Sequence, residues 1–103
     1  MRHILVLTLS LLLLMLAPTG CAQQTPRDGV FIHLSHGQED PHRVAMAFRM
    51  ADLMSADHDV LLYCDIMAIN VVVRDAPDVA FSHFPSVHAV LDSLLARGVT
   101  VMA

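Results

Sequence analysis

From residue 30 onward, runs of apolar residues alternate with segments whose apolar positions recur at helical spacing. Val30 to Ser35 is nearly continuous in apolar side chains (Val30, Phe31, Ile32, Leu34), the pattern of a parallel strand covered on both faces. Asp40-Pro41 then opens a helix, with Asp40 as N-cap and Pro41 where its missing N–H costs nothing. In this helix, Pro41 to Ser55, the residues Val44, Ala47, Phe48, Ala51 and Met54 share one face. Met46, Met50 and Leu53 form an adjoining stripe. Together they span an apolar arc of roughly 220°, about twice what a one-sided surface helix needs. Such an arc implies either further parts of the domain on the second side or a subunit contact.

A second strand spans Asp59 to Cys64, again of buried type. Ile66 to Val73 is ambiguous: its β-branched residues suit a strand, whereas Ile66, Ile69, Asn70 and Val73 have helical spacing. Arg74 to Pro77 is a turn, and Asp78 to Pro85 reads as irregular chain or a short strand. Ser86 caps a second helix with an apolar face of Val87, Val90, Leu91, Leu94 and Leu95, and Gly98 ends it as a C′ glycine. Val99 to Met102 is a third strand. Strands alternating with helices predict an α/β fold with a parallel sheet built from right-handed crossovers.

The first twenty residues follow a different pattern. Arg2 and His3 precede an apolar run, Ile4 to Leu16, broken only by Thr8 and Ser10. At about 13 residues it suits the core of a signal peptide and falls short of the ~20 of a membrane span. Ala17, Pro18, Thr19 and Gly20 lead to Cys21. Small residues before a cysteine resemble the lipobox of bacterial lipoproteins, although Pro18 stands where Leu is usual. The resemblance implies lipidation at Cys21, with a membrane-anchored product facing the periplasm or cell exterior. An ordinary secretory signal with a chance cysteine is the other reading. The division expected is therefore a signal peptide over 1–20, a polar tether over 21–28 and one small domain over 29–103.

Composition narrows the function classes. Ten acidic residues outweigh six basic ones, and the net charge is −4. Lysine is absent, and no basic stripe marks a nucleic-acid partner. With Cys21 lipidated, Cys64 has no intramolecular partner, and a disulfide framework is excluded. Seven histidines invite a metal reading, but none pairs at the i, i+4 spacing of a helical site. His36 and His83, with Cys64, are the metal candidates if they meet at the sheet's carboxyl edge. Gly37 stands alone, so a phosphate-binding loop is unsupported, and no serine sits in a nucleophile elbow. No cofactor is implied.

Ligands of open parallel sheets bind beyond the carboxyl ends of the strands. Ser35, His36 and Gly37 lie there after strand one, and Cys64 and Asp65 after strand two. Cys64 would act as a nucleophile if a neighbouring cation, for which His36 is the candidate, lowered its pKa from ~8.5. Burial is the alternative, since free cysteines are among the most buried residues. Asp65 is either a site residue or a cap for the next helix.

The order of these segments carries a family likeness. Val30 to Glu39, the second strand with Asp65, the run Val71 to Asp78, Phe84-Pro85-Ser86, and Leu94 to Ala103 resemble the DsrE/DsrF-like sulfur-relay family. That resemblance implies a three-layer, flavodoxin-like parallel sheet, of which three strands and two to three helices are present. It also implies a homo-oligomer, a sulfur-carrier protein as partner, and Asp65 as a site residue. The cysteine that bears persulfide in sulfur-transferring members would follow Ala103, so the chain reads as a truncated member, not itself an enzyme and inactive in transfer. The competing reading is a non-enzymatic envelope protein that binds metal or a protein partner through its histidines and the methionine stripe.

Overall fold

The computed structural model describes residues 3, 4, 20 and 27–103. The signal-peptide core, the lipidation position Cys21 and most of the tether lie outside the described residues. Strands β1 (Gly29–Leu34), β2 (Asp59–Cys64) and β3 (Thr100–Met102) form a parallel sheet in the order β1-β2-β3. Helix α1 (Pro41–Met54) connects β1 to β2. A 3-10 turn (Ile66–Ala68) and the short helix α2 (Ile69–Val72) follow β2, and α3 (Val87–Ala96) leads into β3. The expected α/β fold with a three-stranded parallel sheet is present, as an incomplete flavodoxin-like layout.

The predicted helix signals operate as local chemistry. The Asp40 carboxylate accepts from the Arg43 N–H at 3.1 Å, and the Ser86 hydroxyl accepts from the Ala89 N–H at 3.4 Å. Each satisfies a helix-terminal donor that has no partner within the helix. Gly98 takes the left-handed conformation, φ +79°, and turns the chain from α3 toward β3. The Val99 N–H closes the turn on the Leu94 carbonyl at 3.0 Å. The ambiguous stretch Ile66–Val73 is helical, because Ala68 and Val71 are drawn into the core one turn apart. Asp78 to Pro85 contains no strand; it is held by turns and by the Val87 N–H to Val79 carbonyl bond at 3.1 Å.

Even-numbered residues of β1 and β2, and Val101 of β3, point to the helices, and their neighbours point away. Leu34, Val60, Leu62 and Cys64 are buried against Val44, Phe48 and Ala51 of α1 and Val87, Val90 and Leu94 of α3. On the opposite face Phe31 is 62% exposed and Met102 50%. The reading of strands covered on both faces therefore changes: among the described residues, the core helices pack on one face only. Both crossovers step the same way across the sheet, so a common hand places α1 and α3 on the same side. Of the broad apolar arc of α1, only the Val44–Phe48–Ala51 face is buried, and Met46, Met50 and Leu53 remain exposed. Leu95, read as part of the α3 apolar face, is also exposed.

A polar clasp joins the far ends of the two long helices. Asp52 of α1 receives Arg97 at 2.6 Å and Arg49 at 3.0 Å, and Arg97 also donates to the Ser55 hydroxyl at 3.0 Å. Phe48 lies at the centre of the apolar layer with 1% of its surface exposed. Phe48→Ala is expected to destabilise the protein by roughly 3 to 5 kcal/mol. Denaturant titration checks this; a loss under about 1 kcal/mol would contradict a core organised around that ring.

Candidate functional site

The loops after β1 and β2 are tied together at the carboxyl edge of the sheet. The Asp65 N–H donates to the Leu34 carbonyl at 3.1 Å, and the Met67 N–H to the Ser35 carbonyl at 3.2 Å. Gly37 is buried at the tightest point of this approach, where an added Cβ would collide with the Met67 carbonyl. Both oxygens of Glu39 accept from the Gly37 N–H at 2.9 Å, completing the turn into α1. The second loop starts under strain: Ile66, a β-branched residue, has φ +50°. Such a conformation costs of order 1–3 kcal/mol and persists only where neighbouring contacts enforce it.

Asp65 is the N-cap residue of the 3-10 turn by position, but its side chain makes no capping bond. Its Oδ2 lies 2.8 Å from His33 Nε2, while its buried Oδ1 has no hydrogen-bond partner. His33, Tyr63 and Asp65 share one parity, so the register of β1 and β2 gathers them on the open face. The His33 and Tyr63 rings sit 5.5 Å apart, and Phe31 stacks on Tyr63 at 6.2 Å. The result is an aromatic shelf ending in a histidine–carboxylate pair, with the second carboxylate oxygen buried and unpaired.

Cys64 points the opposite way. It is fully buried, and burial, with the Asp65 carboxylate second, pushes its thiol up from 9.0 to about 11. Of the two readings of this cysteine, a buried thiol and an activated nucleophile, the surroundings are those of the buried one. His36 is engaged elsewhere: Arg43 Nη1 lies 2.8 Å from its Nε2, and the Ser35 hydroxyl 3.3 Å from its Nδ1. His83 contacts the Ser82 hydroxyl and stacks on Phe84. Among the described residues, no three His, Cys, Asp or Glu side chains converge to hold a metal ion.

Sequence reasoning placed Cys64, Asp65 and His36 at the carboxyl edge and missed His33 as Asp65's partner. Its signal was a lone polar ring near the end of an otherwise apolar strand. A groove of about 560 Å³ runs along the outer side of β1, from His33, His36 and Arg43 down to Met46, Met50 and Met54. Asp78 serves structure: it accepts from the Ser86 hydroxyl and, at 3.0 Å, from the His88 N–H. The Ser86 bond is the main cause holding its carboxyl below the usual range. No described helix is long and apolar enough to cross a membrane.

Gly37→Ala is expected to cost about 1–3 kcal/mol, because the methyl group would force apart two backbones already in contact. Thermal unfolding checks it, and an unchanged midpoint would contradict the close approach. The raised Cys64 pKa sets a second expectation. The unfolded chain releases this thiol proton near 9 and the folded chain near 11. The associated stability is complete below pH 9 and is lost as pH rises through about 11. Cys64→Ala should flatten the alkaline limb of the stability profile, and an unaltered limb would refute the assignment.

Compared with protein-family models, with curated proteins and with solved structures, the chain matches none.

Proposed function

We propose that this chain is an exported, lipid-anchored DsrE-like module that binds a small sulfur species and does not transfer sulfur through its own thiol. Export and anchoring rest on the apolar run Ile4 to Leu16 and the small residues before Cys21. The DsrE-like assignment rests on the order of segments and is compatible with the parallel β1-β2-β3 sheet. The observation that carries the reading is the division of roles at the end of β2. Cys64 turns into the core and stays protonated, while Asp65 turns to the opposite face, its Oδ2 paired with His33 and its buried Oδ1 unpaired. A thiol held well above neutral pH lacks the thiolate that sulfur transfer needs. The part-exposed Asp65–His33 pair on the aromatic shelf instead suits a ligand carrying an ammonium or another donor, such as an amino-acid persulfide.

Cysteine persulfide is therefore the probe. Isothermal titration of the exported protein is expected to show saturable binding that weakens about tenfold in Asp65→Asn and His33→Ala, the loss of one charge-assisted contact. Mass spectrometry of the folded protein should show Cys64 unmodified, with sulfur addition appearing only after denaturation. Absence of binding to the wild-type protein would end the sulfur-species reading. Persulfide on folded Cys64 would replace binding by carriage.

A further inference from the structure

We draw no further inference here: the strongest candidate, the groove between the outer side of β1 and the exposed methionine stripe of α1, is an unpartnered apolar face beside an incomplete sheet, and nothing in the structure shows what covers it.

Discussion

The architecture depends on the apolar seam between one face of the sheet and the two long helices. Leu34, Leu62 and Cys64 from the strands meet Val44, Phe48, Val87 and Leu94 from the helices, all essentially closed to solvent. The strand order makes this seam one-sided: two crossovers stepping the same way must lay both helices on the same face. Everything distinctive about the surface follows from that. The open face keeps Phe31, His33, Tyr63 and Met102, and the methionine stripe of α1 stays at the outer edge of β1. A small domain with one covered face has little apolar burial to spare, so the helix caps and the Asp52–Arg97 clasp carry more weight than in a larger protein.

The same seam explains the carboxyl edge. Ala68 and Val71 are buried with the core residues, pulling the chain after β2 down toward the helices. That pull brings the Met67 carbonyl against Gly37 and holds Ile66 at positive φ. The local cost is met by tertiary contacts, as expected for strain that survives in a native state. In return, the two loops are joined into one rim, and Asp65 comes to lie beside His33 at the end of β1.

Strand alternation then separates two neighbouring residues chemically. Cys64 and Asp65 are adjacent in sequence, yet one is sealed in a dry layer and the other opens onto the aromatic shelf. Desolvation holds the thiol protonated. The carboxylate lies at the rim, where His33 offsets part of its burial. The placement of Asp65 on the open face and of Cys64 in the core comes from this single geometric fact.

Much of this was legible in the chain itself. Asp40 and Ser86 as caps, Gly98 as the C′ residue, three strands and two long helices are determined by local chemistry, so residue type suffices to read them. The carboxyl-edge positions of His36, Cys64 and Asp65 were also legible, because strand ends define them. Other features were decided only in three dimensions. Ile66–Val73 has both strand and helix character, and burial of Ala68 and Val71 settled it as helical. The buried look of β1 suggested cover on both faces, but apolar content records the capacity to be buried, not the presence of a covering layer. His33 found Asp65 through the β1–β2 register, a relation between positions thirty residues apart. Local sequence carries no record of such a pairing, because it is set by which strands meet and in what alignment.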